Sequence, residues 1–131
     1  MSIYPVHSVM ASSFADEKDV AEYRRWKGMG ASDKIAFAHG DNGIGCWGDD
    51  TTTDEPMCAL PPDDWKTFKK PHGQKILVCV HGTQIVCRLM DTMPLKANIR
   101  NGAGIDLNPG AQKAFGLKPP FLVPATWQVI A

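Results

Sequence analysis

Short runs of apolar residues, broken by glycine and proline, dominate the second half of the chain. The clearest are Lys75–Val80 and residues 84–90, because both are rich in Val, Ile and Leu and a short Gly-containing turn separates them. This arrangement predicts a β-hairpin. The second run ends on Asp91, in a turn that Pro94 closes, and a Gly-rich loop follows.

Shorter apolar runs predict four further strands. They cover residues 6–14, Met57–Leu60, a short segment that carries Asp106, and residues 123–130. A proline near the start of the last run places that start at an edge or a bend. Residues 35–38 are predicted to form a short strand or a turn.

Two helices are predicted from their end signals. Residues 16–29 begin with acidic and finish with basic side chains, as the helix dipole favours. Pro109–Phe115 follows Asn108, a good N-cap, and ends at Gly116. Between the first helix and the second half of the chain, residues 39–54 are rich in Gly and Asp and read as a polar loop.

Many short strands, two small helices and frequent Gly and Pro indicate a small closed β barrel. We therefore expect one mainly β domain over residues 1–131, in which residues 15–56 form a helix- and loop-containing insertion. Periodicity alone does not distinguish the types of barrel.

Composition narrows the classes of function. The chain has 131 residues, 44% of them hydrophobic, and a formal net charge of zero. Such a chain can bury a core, and it lacks the excess of positive charge that nucleic-acid binders show. No apolar run approaches the roughly 20 residues of a membrane span. We therefore expect no nucleic-acid partner and no membrane span.

The first residues carry no charged region followed by an apolar stretch, so no secretion signal is predicted. A protein without such a signal can still act outside the cell if a particle delivers it.

The four cysteines contain no CxxC pair, so neither a zinc site nor another cofactor is predicted. Cys79 and Cys87 lie in apolar runs and are expected to be buried thiols. Cys46 and Cys58 flank a polar loop and could form a disulfide, which we expect only if the protein works outside the cytoplasm.

A longer pattern joins these elements: a strand ends in Asp91, a turn proline follows at Pro94, "IDL" contains Asp106, and a closing aromatic stands at Trp127. The runs are Asp91-Thr92-Met93-Pro94, Gly104-Ile105-Asp106-Leu107-Asn108-Pro109 and Thr126-Trp127-Gln128-Val129. This order resembles the double-psi β-barrel domains of the RlpA-like, barwin and expansin superfamily. The resemblance implies a six-stranded barrel with a groove that faces a glycan.

Relatives of this type include lytic transglycosylases that cut peptidoglycan, endoglucanases, expansins and sugar-binding barwins. The resemblance implies that Asp91 matches the catalytic acid of the transglycosylases, and that Asp106 matches the important Asp of endoglucanases and expansins. It also matches Ser13 to the first strand of the family, and Ser13 is a candidate substrate-binding residue. Pro61 stands where the transglycosylases have a histidine, so a non-catalytic role stays open.

The chemistry of glycosidic cleavage requires an acid that protonates the leaving oxygen. Asp91 is the preferred candidate, because partial burial after an apolar strand would raise its pKa. Asp106 is the second candidate, although an Asp before a helix often bonds backbone amides. The aromatic rings of Trp47, Trp65 and His72 could stack on sugars or serve only in packing.

Three hypotheses therefore compete. The first is a cell-wall glycan-cleaving enzyme, of the lytic transglycosylase or glycosidase type, that acts on peptidoglycan. The second is a glycan-binding or expansin-like domain without catalysis. The third is a structural barrel of a larger assembly, such as a phage tail, with or without lytic activity. The lack of a secretion signal favours this setting, in which the protein acts at the cell envelope as a virion or injection-machine component, with self-association or incorporation in a viral tail-like assembly.

Overall fold

The computed structural model describes residues 4–131. It contains six β-strands and four short α-helices, together with a 3-10 turn at Lys96–Asn98. The strands are β1 (His7–Ser13), β2 (Met57–Leu60), β3 (Lys75–Val80), β4 (Thr83–Thr92), β5 (Ala103–Leu107) and β6 (Leu122–Val129). The helices are α1 (Glu17–Gly28), α2 (Asp33–Phe37), α3 (Pro62–Trp65) and α4 (Pro109–Phe115).

The six strands close into a barrel in the order β1-β5-β2-β4-β3-β6. Consecutive strands β1 and β2 are separated by β5, and consecutive strands β4 and β5 are separated by β2. Two such interlocked arrangements make a double-psi barrel. β1 pairs with β5 and β2 with β4 in parallel, whereas the other four neighbouring pairs are antiparallel. The prediction of a mainly β, closed six-stranded barrel with short helices is confirmed.

Alternate residues of the strands fill the barrel, as the period of two in a strand requires. The predicted hairpin of β3 and β4 forms, with Ile76 paired to Cys87 and Val78 to Ile85. The interior of the barrel is apolar and tightly closed. Its fully buried members are Ala11, Cys58, Leu60, Ile76, Val78, Cys87, Leu89, Ile105, Leu107 and Ala111.

A β-bulge on β4 changes the direction of the side chain on which the site depends. Cys58 pairs with Leu89, but the next residue, Ala59, pairs with Asp91, so Met90 is an extra residue opposite β2. Without the extra residue Asp91 would share the face of Leu89 and point into the barrel. The bulge therefore brings Asp91 to the outer face.

The segment between β1 and β2 holds α1, α2 and a loop. Asp16 caps α1 by accepting the N–H of Asp19, and Ser32 caps α2 by accepting the N–H of Ile35. The prediction of a strand or turn at residues 35–38 is wrong. The Ser32 cap and the acidic Asp33 in the first turn favour a helix over a strand there.

Asn108 joins this segment to the barrel. Its side chain is fully buried, and its Oδ1 accepts the N–H groups of Met57 and Ala111 at 2.8 and 2.9 Å. Its Nδ2 donates to the carbonyls of Thr51 and Glu55 at 3.0 and 2.9 Å. The predicted N-cap of α4 is thus also the anchor of the loop before β2.

Within residues 4–131, no helix has both the length and the apolar character needed to cross a bilayer.

Candidate functional site

Two aspartates lie in one row across three neighbouring strands. Ala59 on β2 pairs with Asp91 of β4 on one side and with Asp106 of β5 on the other. Ser12 of β1 pairs with Asp106 and extends the row by one strand. Paired residues point to the same side of a sheet, so both carboxyl groups share one face with only the Ala59 methyl between them. The two predicted catalytic residues are therefore brought together.

The Asp91 carboxyl is held by backbone N–H groups. Its Oδ1 accepts from Cys46 at 2.9 Å and from Thr92 at 2.7 Å. The loop can approach this closely because residue 45 is glycine: a Cβ there would lie 2.0 Å from the carbonyl oxygen of Met90. Asp91 is only 7% exposed, so it is buried more deeply than the partial burial that the sequence predicts.

Asp106 is partly buried in the same row. It accepts a hydrogen bond from the hydroxyl of Ser12, its pairing partner on β1. It does not cap α4, as an Asp before a helix often does, because Asn108 takes that position. The Asp106 carboxyl is therefore free to face the space outside the barrel.

A cleft of about 710 Å³ opens over this row. Asp91, Ala59 and Asp106 form its barrel wall, and the predicted substrate-binding residue Ser13 also lines it. The opposite wall comes from the segment between β1 and β2. That wall supplies two more carboxyl groups, Asp19 and Asp41, which the sequence analysis did not single out.

Tight backbone contacts fix the second wall. Asp19 accepts the N–H of Ala15 at 2.9 Å, and Asp41 accepts the N–H of Gly43 at 2.8 Å. A Cβ at Gly40 would lie 2.1 Å from the carbonyl oxygen of Asp19, so glycine is needed where the loop meets α1. Glycine at residue 40 next to an Asp is the one sequence feature that points to this contact.

Burial governs the electrostatics of the cleft. It raises the pKa of Asp91 to about 6, against the lowering effect of the N–H groups of Thr92 and Cys46. Burial also raises the pKa of Asp106, to about 7. The hydrogen bond from the Ser12 hydroxyl lowers this pKa, and the charges of the other carboxyls in the cleft raise it. Burial therefore makes both carboxyls of the barrel wall weaker acids than an ordinary aspartate.

Burial also raises the pKa values of the two carboxyls on the second wall. Burial raises the pKa of Asp19 to about 6, although its bond from Ala15 lowers it. Burial also raises the pKa of Asp41 to about 6, and the nearby charge of Asp91 adds to this. Asp41 and Asp91 line the same cleft from its two walls.

Apolar side chains stand at the rim. Phe37 is 48% and Ile44 55% exposed, and both line the cleft. His39 lines it as well, and its ring stacks on Trp26 with centroids 3.8 Å apart and planes 4° from parallel. The rings of Phe37 and His39 offer flat surface of the kind that packs on the faces of sugars. The sequence places His39 at the start of the predicted polar loop and does not mark it as a site residue.

The three predicted aromatic ligands form one cluster, but outside the cleft. Trp47 stacks on His72 with ring centroids 5.2 Å apart and meets Trp65 edge-on at 5.5 Å. The Trp65 indole donates to the hydroxyl of Thr92 at 3.0 Å, and His72 bonds Asp49 at 2.6 Å. None of the three lines the cleft. Their contacts fix the loop that carries Cys46.

The disulfide considered between Cys46 and Cys58 is absent, and that expectation is wrong. Cys46 is an exposed residue of the loop, whereas Cys58 is fully buried inside the barrel. Burial raises the pKa of the Cys46 thiol to about 11, so the thiol is un-ionised at neutral pH. Across residues 4–131 no group of three or more His, Cys, Asp or Glu side chains is placed to hold a metal ion.

Comparison with known proteins supports the fold. No protein-family profile matches the sequence, and no curated protein matches it either. The solved structure of the Streptomyces papain inhibitor is similar, with a TM-score of 0.59 and 18% identity over 97% of this chain and 96% of that one. At this identity the likeness shows the fold alone. Membership of the RlpA-like, barwin and expansin superfamily stays a prediction.

Proposed function

We propose that this domain cleaves a cell-wall glycan of the peptidoglycan type, with Asp91 as the general acid. The observation that carries the proposal is the row in which Asp91 and Asp106 flank Ala59 along one wall of an open cleft. Two strand spacings separate their Cα atoms by roughly 10 Å. A sugar ring and its glycosidic oxygen fit the space above the small side chain of Ala59.

The hydrogen bonds of Asp91 suit an acid that must be oriented. Both N–H donors bind Oδ1, and no hydrogen bond to Oδ2 comes from residues 4–131. Oδ2 is therefore the oxygen that can carry the proton toward the substrate. A pKa of about 6 leaves a useful fraction of Asp91 protonated close to neutral pH.

Burial of both carboxyls favours lytic cleavage over hydrolysis by this pair. An inverting hydrolase with Asp91 as acid would need Asp106 as the ionised base, but burial raises the pKa of Asp106 and so opposes its ionised form. In lytic cleavage one group suffices. Asp91 protonates the glycosidic oxygen as the C–O bond breaks, a hydroxyl of the same sugar attacks the anomeric carbon, and its proton returns to Asp91.

A second candidate function is glycan binding without cleavage. The burial of Asp91 favours this function: the residue is 7% exposed, and its carboxyl accepts hydrogen bonds from two backbone N–H groups. In that case Asp91 serves to hold the Cys46 loop against β4, and the cleft is a binding groove. A structural barrel within a larger particle at the cell envelope is the remaining alternative, and the mass of the native particle tests it.

Product analysis tests the proposal. Purified sacculi are incubated with the protein, and the released fragments are identified by mass spectrometry. Fragments that end in an anhydro sugar are the expected result. Fragments with a free reducing end would instead indicate hydrolysis, with Asp106 as acid and Asp91 as base. If no fragments are released while sacculi still retain the protein, the binding function replaces the enzymatic one.

A further inference from the structure

We infer that Trp47, Trp65 and His72 are positioning residues for Asp91: one cluster of rings holds both backbone N–H groups that bind its Oδ1. The sequence makes all three candidate sugar ligands, yet none of them lines the cleft. The inference rests on the proposed function, because it takes Asp91 to be the acid. It goes further by assigning a role in the site to residues that lie outside the cleft.

The first of the two donors is the Cys46 N–H, which lies in a tight turn of residues 45–49. Within this turn the N–H of Gly45 donates to the carbonyl of Asp49 at 2.8 Å. The Asp49 carboxyl lies 2.6 Å from Nε2 of His72. The turn that presents the Cys46 N–H is therefore tied to His72.

The segment that carries His72 is itself attached to β4, the strand of Asp91. The N–H of Gly73 donates to the carbonyl of Leu89 at 2.8 Å, and the N–H of Leu89 donates to the carbonyl of Gln74 at 2.9 Å. Leu89 and Asp91 lie on the same strand with one residue between them. The chain of contacts leaves β4 at Leu89 and returns to it at Asp91, so the turn is held by the strand whose carboxyl it binds.

The second donor is the N–H of Thr92, the last residue of β4. The Trp65 indole donates to the Thr92 hydroxyl at 3.0 Å, and that hydroxyl donates to the carbonyl of Met93 at 2.8 Å. The N–H of Thr92 lies 2.7 Å from Oδ1 of Asp91. Trp65 therefore acts on the Asp91 carboxyl through Thr92.

Trp47 joins the two supports. It directly follows Cys46 in the chain, its ring stacks on His72 with centroids 5.2 Å apart, and it meets Trp65 edge-on at 5.5 Å. Aromatic pairs of these kinds favour a defined geometry. Loss of Trp47 should therefore loosen both supports, whereas loss of either neighbour should loosen one.

The two donors also act on the acid strength of Asp91. Burial raises its pKa, and the N–H groups of Thr92 and Cys46 lower it, because they favour the charged form. If the cluster is disrupted and the donors move away, the pKa of Asp91 should rise further above its ordinary value. A side chain that only packs against the barrel does not act on this pKa.

The test measures the pKa of Asp91 by NMR titration of its carboxyl carbon in wild type and Trp47→Ala. We expect this pKa to rise by about 0.5 to 1, because hydrogen bonds to a charged group are weakened. Hydrogen exchange at the Cys46 and Thr92 amides should become faster. Trp47→Phe keeps a ring that can stack on His72, and it should restore most of both properties. The alkaline limb of the pH profile of sacculus cleavage should move to higher pH in Trp47→Ala.

Two milder variants separate the supports. Trp65→Phe keeps a ring but loses the indole N–H, so exchange should become faster chiefly at the Thr92 amide. His72→Phe keeps a ring but loses the bond to the carboxyl of the turn, so exchange should become faster chiefly at the Cys46 amide. Each variant should also raise the pKa of Asp91, by a smaller amount than loss of the ring between them.

Phe115→Ala is the matched control, because Phe115, like Trp47, is partly buried against the barrel core but lies on α4, outside the cleft. It should lower stability and leave the pKa of Asp91 unchanged. An unchanged pKa in Trp47→Ala despite lowered stability, or an equal rise in Phe115→Ala, overturns the inference. If Trp47→Ala does not fold, an unchanged pKa in both Trp65→Phe and His72→Phe overturns it.

The outcomes separate this inference from the proposed function, since the pKa of Asp91 is measured without substrate. If wild type leaves sacculi intact, the catalytic proposal is rejected, and a raised pKa in the cluster variants still upholds the positioning role. If wild type cleaves sacculi and the variants leave the pKa of Asp91 unchanged, the catalytic proposal stands and the positioning role is rejected.

Discussion

Asp91 and Asp106 are the two pairing partners of one residue, Ala59, which lies between them on the central strand of the three. The relationship depends on the bulge at Met90, which shifts the register of β4 by one residue. It also depends on the small size of residue 59, which is 2% exposed at the floor of the cleft. Both features can be tested by substitution.

Ala59→Val places two extra methyl groups between the carboxyls. We expect glycan cleavage to fall at least tenfold, because the ring of the substrate can no longer lie between the acids, while overpacking costs about 1–3 kcal/mol of stability. Ala125→Val is the control, since Ala125 is also buried but lies on β6, outside the cleft that Asp91 and Asp106 line. A59V with wild-type turnover would show that the gap above Ala59 is not where the substrate binds.

Gly45→Ala tests the loop that holds Asp91. A Cβ would lie 2.0 Å from the carbonyl oxygen of Met90, so the loop must move away and the bond from the Cys46 N–H to Asp91 must break. We expect a loss of about 1–3 kcal/mol in denaturant unfolding and faster hydrogen exchange at the Cys46 amide.

The matched control for that substitution is Gly28→Ala, because a Cβ at Gly28 meets nothing within 4 Å and its backbone is not left-handed. It should leave both measurements close to wild type. Unchanged exchange at the Cys46 amide in G45A would contradict the close approach of the loop to β4.

Asn108→Ala removes the anchor between α4 and the loop before β2. Two N–H groups and two carbonyls lose their partner in a fully buried place. We expect a loss of at least about 2–3 kcal/mol in urea unfolding, because each buried unsatisfied group costs about 1–3 kcal/mol. Asn108→Asp keeps the acceptor and loses the donor, so it should also destabilise. A mild effect of both variants would show that water replaces the network.

Much of the barrel follows from the sequence, and the site follows only in part. The hairpin, the Asn108 cap and the aspartates of the "IDL" and turn motifs are set by local signals, so they could be predicted. The bulge at Met90 leaves no local signal, since it is decided by pairing with a strand about 30 residues away. The outward direction of Asp91 could therefore not be derived from its own strand.

The second wall shows a different limit. Asp19 reads as an ordinary acidic residue in the first turn of a helix, and Asp41 as one of several aspartates in a polar loop. Only the packing of that segment over the barrel gives them a shared cleft with Asp91. The residue types of Trp47, Trp65 and His72 suit sugar binding, yet Trp47 packs on the other two rings, and all three lie outside the cleft.

The pKa of Asp91 predicts how stability responds to pH. Its value in the folded protein, about 6, lies above the ordinary 3.8, so the folded state binds the proton more tightly than the unfolded chain. The stabilisation is complete below about pH 4 and is lost as pH rises through 6. The loss is at most about 3 kcal/mol, since one pKa unit corresponds to about 1.4 kcal/mol.

Urea unfolding of wild type and Asp91→Asn from about pH 4 to about pH 8 measures this effect. The variant cannot ionise, so its stability should decline less with rising pH, and the two curves should cross or converge. The other titratable side chains that line the cleft are present in both proteins: Asp19, His39, Asp41, Cys46 and Asp106. The difference between the curves therefore reports the ionisation of Asp91 together with its charge effect on Asp41 and Asp106. Parallel curves would show that Asp91 titrates at its ordinary pKa.

The rate at which sacculi are cleaved by wild type and by Asp91→Asn tests the central proposal most directly. General acid catalysis supplies about 10²–10⁴-fold in rate, so the variant should release fragments at least about a hundredfold more slowly while it unfolds cooperatively like wild type. Asp54→Asn, a change of the same kind at an exposed site, should keep the wild-type rate. Release of fragments by Asp91→Asn at the wild-type rate would contradict the assignment of Asp91 as the acid.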